Sequence, residues 1–134
     1  MKRNCFLATA FVVVLVAAGM AFARGSQSAT VSVTLKEMKI SLSRTHVPAG
    51  KVSFVVKNSG TIEHEMVVVR KPRSGKLRVV HFKAAEDGAV GEVEDLEVGK
   101  VRKLTLTLQR GRYVLICNLP GHYQLGMRAD LVVT

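Results

Sequence analysis

Cys117, His122 and Met127 fall at even steps of five along one short, glycine-containing stretch, Cys-Asn-Leu-Pro-Gly-His-Tyr-Gln-Leu-Gly-Met. A thiol, an imidazole and a thioether so spaced are soft donors that suit a soft metal ion. His64, which follows the turn residues Asn58-Ser59-Gly60 and opens an apolar run, can supply a second imidazole. Zinc prefers four strong tetrahedral ligands, and methionine is a poor one for it. Two histidines, one cysteine and a weak thioether instead favour a single copper ion that exchanges one electron at a time. Taken singly, each residue has a plainer reading. A lone histidine is often a satisfied core or turn residue, a lone cysteine a buried inert thiol, and a methionine core filler. The combination raises all four to candidate metal ligands.

The elements that must position this set read as short strands. Val31, Val33 and Leu35 alternate with Ser32, Thr34 and Lys36, and Ile40 and Leu42 continue the same period, as a half-buried strand does. Pro48-Ala49-Gly50 marks a turn, after which Val52, Phe54 and Val56 alternate with polar residues. The β-branched run His64–Arg70 reads as a central strand, residues 77–82 as a weaker one, and residues 84–99, acidic and glycine-containing, as a loop with at most one helical turn. Leu104, Leu106 and Leu108 alternate again, Gln109-Arg110-Gly111 turns the chain, and residues 113–117 and 129–133 read as strands. Seven or eight short strands with regular turn signals predict an all-β fold, an antiparallel sandwich or barrel. The last two strands flank the donor loop as hairpin arms, with Cys117 closing one and Met127 opening the other, so the loop belongs at one end of the sandwich. Met66 shares a strand face with His64 and reads as core beneath the site. Met38 also reads as core. His46 and His81 read as surface histidines remote from the donor loop.

The N-terminus has a different character. Lys2 and Arg3 precede an apolar run from Phe6 to Ala18, and Ala21-Phe22-Ala23 has the small-x-small form of a processing site. Residues 1–23 therefore read as a secretory signal peptide cleaved after Ala23, which leaves residues 24–134 as one domain. The alternative is an uncleaved anchor, since the apolar stretch just reaches spanning length. Cleavage removes Cys5 and leaves Cys117 as the single thiol, so no internal disulfide can form. In an oxidising extracytoplasmic space or periplasm a lone thiol is vulnerable, and coordination would protect it. The chain carries 20 basic and 10 acidic residues, a balance that attracts anionic partners such as acidic protein patches or a membrane surface. Nucleic acid is disfavoured by export and by the scarcity of aromatic residues for stacking. Arg70, Lys71, Arg73, Lys76, Arg78 and Lys83 form a basic stretch, followed by the acidic Glu86, Asp87, Glu92, Glu94, Asp95 and Glu97. These are either two solvated loops that offset each other or a docking patch.

The run Arg112-Tyr113-Val114-Leu115-Ile116-Cys117, followed by Pro120-Gly121-His122 and Gly126-Met127, resembles the blue copper proteins, or cupredoxins. Its Cys-x4-His-x4-Met spacing is most similar to the branch containing rusticyanin, auracyanin and sulfocyanin. Residues 52–64 resemble the strand and turn before that family's first histidine, so the resemblance covers nearly all of residues 24–134. It implies a Greek-key β-sandwich (or barrel) with one copper cycling between Cu(I) and Cu(II), held by His64, Cys117 and His122 in a plane with Met127 axial. It further implies that the His122 ring edge is the port for electrons, surrounded by Leu119, Pro120, Tyr123 and Leu125 as a docking surface. One position departs from the pattern. Many members carry Asn or Ser after the first histidine to brace the two ligand loops, and this chain has Glu65. Strand alternation puts Glu65 on the face opposite His64.

The leading expectation is an exported, monomeric electron carrier that works between redox proteins. The alternative is a periplasmic copper chaperone or buffer, a role that suits exposed Met- and His-rich sites better than a thiolate. A copper enzyme would need further histidine-rich centres, and only the unpaired His46 and His81 remain.

Overall fold

The computed structural model describes residues 28–134. The expected signal segment lies outside that range. Strands β1 (Ser28–Lys36), β2 (Lys39–Leu42), β4 (Gly50–Asn58) and β9 (Val101–Leu108) form one sheet in the order β2-β1-β4-β9. Strands β3 (His46–Val47), β5 (His64–Arg70), β8 (Ala89–Leu96), β10 (Gly111–Ile116) and β11 (Arg128–Val133) form a second, ordered β3-β11-β10-β5-β8. Two short strands, β6 (Val79–Val80) and β7 (Lys83–Ala84), make a separate hairpin. The two large sheets pack face to face as a Greek-key sandwich, and no helix occurs among the described residues.

Alternation explains the layers. Val31, Val33 and Leu35 of β1 and Val52, Phe54 and Val56 of β4 point inward with their polar neighbours outward. From the other sheet, Met66, Val68, Leu115 and Leu131 complete the main core. β5 and β10 are apolar on both faces because their outer face is covered too. Val67, Val69, Val114 and Ile116 pack there against Ala84, Tyr123 and Leu77. A strand buried on both faces reads as a continuous apolar run, which is the pattern of residues 66–69.

Several sequence expectations need correction. β1 and β2 are two antiparallel strands with Lys36 opposite Lys39, although the apolar period runs on through the reversal. Nothing in Lys36-Glu37-Met38-Lys39 carries the Gly, Asn or Pro of a usual turn. The sandwich is mixed, because β1 runs parallel to β4 and β3 parallel to β11. Residues 84–99 are mostly strand rather than loop. β8 pairs with β5 as an edge strand that buries Val93 and Leu96 and exposes its acidic residues, and charges are a usual way to protect an edge. Residues 77–82 supply only β6, since His81 and Phe82 turn the chain at once, both at positive φ, as a two-residue hairpin loop requires.

Candidate metal centre

Each side chain of the candidate set arrives on a fixed element. His64 is the first residue of β5. The turn before it is organised by Asn58, whose buried side chain accepts from Gly60 N and donates to the carbonyls of Ile62 and Leu96. Cys117 follows the last residue of β10, and Met127 precedes the first of β11. The loop between them is tied to itself. Cys117 N–H donates to Met127 O at 3.1 Å, and Met127 N–H donates to His122 O at 3.0 Å. Gly121 and Gly126 hold left-handed φ values of 84° and 99° in this loop, a conformation that glycine adopts without steric cost.

The structure brings three of the four residues together as a donor cluster. Nδ1 of His122 lies 3.3 Å and Nδ1 of His64 3.7 Å from Sγ of Cys117. The donor atoms all lie within 4.8 Å of one another, and the imidazole rings meet edge-on with centroids 5.3 Å apart. Donors held about 2.0–2.3 Å from a metal in a trigonal array stand about 3.7 Å from each other, so the spacing fits one ion in the middle. Met127 is fully buried in the same core cluster as Cys117. Met66 also sits fully buried in that core, and Met38 packs against it partly exposed. His46 and His81 are exposed and outside the donor cluster.

The electrostatics suit a soft cation. Burial pushes the Cys117 thiol up, against the backbone N–H groups of Glu65 and Leu119, which favour the thiolate, and the Glu65 charge adds to the upward push. A coordinating metal removes that proton outright. Burial, helped by neighbouring His64, pushes His122 down, toward the neutral imidazole that binds metals. Glu65 is half-buried on the face away from His64, and burial pushes its carboxyl up. The Asn118 backbone N–H works in the opposite direction on that carboxyl.

Two features of the site were not anticipated from the sequence. Glu37, in the β1–β2 turn, places Oε1 3.2 Å from Nε2 of His64. Its own backbone N–H, with those of Thr61 and Ile62 and the His64 ring, lowers its pKa to about 2. The second is the β6–β7 hairpin, which docks against the donor loop. Asn118 accepts from Ala84 N at 2.7 Å and donates to Ala84 O at 2.9 Å, and Gly121 N donates to Phe82 O at 2.8 Å. His81, at the tip of that hairpin, is therefore not remote from the loop. Tyr123 is no surface residue either. It is buried under the loop, stacked by Arg128 and accepting from Leu77 N, whereas Leu125 is 66% exposed. Asn118→Ala removes both bonds to Ala84 and orphans its buried N–H. The expected loss is about 2 kcal/mol, at roughly 1 kcal/mol per bond, with faster amide exchange confined to residues 79–84 and the donor loop.

The family model for the cupredoxin-like domain matches residues 6–133. The chain belongs to the cupredoxin-like family. Solved cupredoxin structures of the expected branch superpose on it. Auracyanin from the photosynthetic bacterium Roseiflexus castenholzii, in its dithionite-reduced form, aligns with a TM-score of 0.61 at 21% identity, covering 82% of this chain and 99% of the other. Rusticyanin from Thiobacillus ferrooxidans gives a TM-score of 0.66 at 16% identity over 80% of this chain and 77% of the other. Auracyanin B gives 0.60 at 24% over 79% and 88%. At these identities the likeness is one of fold. Comparison with curated protein sequences returns no match. In this cupredoxin-like chain the buried His–Cys–His convergence is a candidate copper site.

Proposed function

We propose that this cupredoxin-like protein is an exported carrier of single electrons, with one copper held by His64, Cys117, His122 and Met127. The observation that carries the reading is the convergence of Nδ1 of His64, Sγ of Cys117 and Nδ1 of His122 in one buried pocket. The bound copper would supply one-electron exchange between Cu(I) and Cu(II). The protein's part is to keep the donors in one arrangement for both states, and a loop closed by its own backbone bonds on a two-sheet scaffold suits that task. Burial of His64 and Cys117 favours a carrier over a chaperone, which must let copper in and out. In this reading the protein is not an enzyme. It works as a monomer in the periplasm or a comparable extracytoplasmic space, after cleavage of residues 1–23, as domain 24–134.

The test is to add Cu(II) to the purified protein and record visible absorption and EPR. An intense thiolate-to-copper band with narrow copper hyperfine splitting is the expected result. A colourless protein that holds only Cu(I) would replace the carrier with the buffer reading.

The partners in this proposal are redox proteins with acidic docking patches. Supporting this, Arg78 and Lys83 are exposed at or beside the hairpin that docks on the donor loop, and Phe82 of the same hairpin and Leu125 of the donor loop are exposed. The association rate with an acidic redox partner is expected to fall steeply as ionic strength rises, because screening shortens the steering range to about 8 Å at physiological salt. A salt-independent rate in stopped-flow measurements would remove the basic segment from the docking account.

A further inference from the structure

The His64 ring has two nitrogens with different surroundings. Nδ1 faces Cys117, and Nε2 faces a carboxylate that originates 27 residues earlier, in the turn of the opposite sheet. That carboxylate has little freedom. Oε1 of Glu37 accepts from Thr61 N at 2.7 Å and Ile62 N at 3.1 Å, and lies 3.5 Å from Thr61 Oγ1 as well as 3.2 Å from Nε2 of His64. Gly60 leaves room for it, since a Cβ there would overlap Oε1. His64 is fully buried and Glu37 a quarter exposed, so the carboxylate forms the outer layer over Nε2. A histidine whose second nitrogen donates to a carboxylate has its tautomer and ring orientation fixed and its basicity raised.

We propose that Glu37 is the positioning residue of the metal centre: its carboxylate holds His64 in the Nε2-protonated form with Nδ1 toward Cys117, and its negative charge favours Cu(II) over Cu(I). The proposal rests on the copper reading above. The charge argument is direct. One thiolate leaves Cu(II) with a surplus positive charge and cancels that of Cu(I), so an anion one imidazole away stabilises the oxidised state and repels nothing in it. The turn of one sheet thus fixes a donor carried by the other.

Three variants separate the two effects. Glu37→Gln keeps the size and an amide oxygen acceptor but removes the charge. Glu37→Ala removes both. Gly60→Ala evicts the carboxylate by placing a methyl where Oε1 sits and leaves Glu37 in the chain. The first measurement uses copper-free protein and long-range 15N–1H correlation of the His64 ring. The wild type is expected to show a single Nε2–H tautomer, and Glu37→Ala and Gly60→Ala a mixture of tautomers. The second is the midpoint potential of the copper-loaded protein. Glu37→Gln is expected to lower the Cu(II)-to-Cu(I) affinity ratio about tenfold, a rise of about 59 mV for one electron. Glu37→Ala and Gly60→Ala are expected to bind copper about 10–100-fold more weakly while keeping the thiolate band. Should Glu37→Ala fail to fold, Glu37→Gln and Gly60→Ala still decide the matter. An unchanged potential in Glu37→Gln together with an unchanged tautomer in Gly60→Ala overturns the proposal. A wild-type protein with no thiolate-to-copper band sinks the copper reading instead, and the tautomer measured without metal then still judges the role of Glu37.

Discussion

Replacing Cys117 with serine is expected to erase the visible colour of the copper-loaded protein and to weaken copper binding by more than the roughly 100-fold ceiling typical of outer-shell changes. The sulfur is the only thiolate donor in the cluster, and a charge-transfer band of that intensity needs one. A serine hydroxyl stays protonated near neutral pH and is a hard donor, so it offers the copper neither charge nor softness. The fold should survive. Serine is slightly smaller, the site is buried, and the backbone N–H groups of Glu65 and Leu119 that favour the thiolate remain to pair with the new oxygen. Circular dichroism and a denaturation midpoint close to wild type would show that the lost colour is a loss of ligand. A variant that keeps the band excludes Cys117 from the site.

Phe54→Ala is expected to cost about 3–5 kcal/mol, the range for deleting a buried aromatic ring. Phe54 is fully buried at the middle of β4, where it pairs with Val31 of β1 on one side and Leu104 of β9 on the other. A cavity there cannot close easily, because both neighbouring strands are fixed by long ladders. Domains of this size hold only about 5–15 kcal/mol of net stability, so the loss is about a fifth of the total or more. Urea unfolding should show a lower midpoint with an unchanged slope. A midpoint near wild type would mean that the two sheets move together to fill the gap.

The parts of this molecule that the sequence made legible are those where one residue pattern carries one physical demand. Alternation in Val31-Val33-Leu35 and Val52-Phe54-Val56 could mean only half-buried strands, and they are. The run His64–Arg70 read as a central strand, and β5 is one, with its apolar residues 66–69 buried on both faces. The donor loop was legible because Cys117 and Met127 sit at the ends of a hairpin, a local relation that spacing alone expresses. β8 was missed because its acidic residues suggest a solvated loop, whereas they are the outward half of an edge strand anchored by Val93 and Leu96. The β1–β2 reversal was missed because its residues are not turn formers. That miss hid Glu37 as well, since only the reversal carries its carboxylate across the sandwich to His64. Contacts between distant segments leave no periodic trace in a sequence.

Direction is built into the way the candidate site is buried. Both faces of β5 and β10, which lead to His64 and Cys117, are covered, one by the opposite sheet and the other by Leu77, Ala84 and Tyr123. His64 and Cys117 have no exposure, and His122 keeps 9% of its surface in contact with solvent. An electron leaving sideways would have to tunnel through the breadth of the sandwich, where the rate falls off exponentially with distance. If the protein carries electrons as proposed, a productive encounter is head-on, at the His122 end.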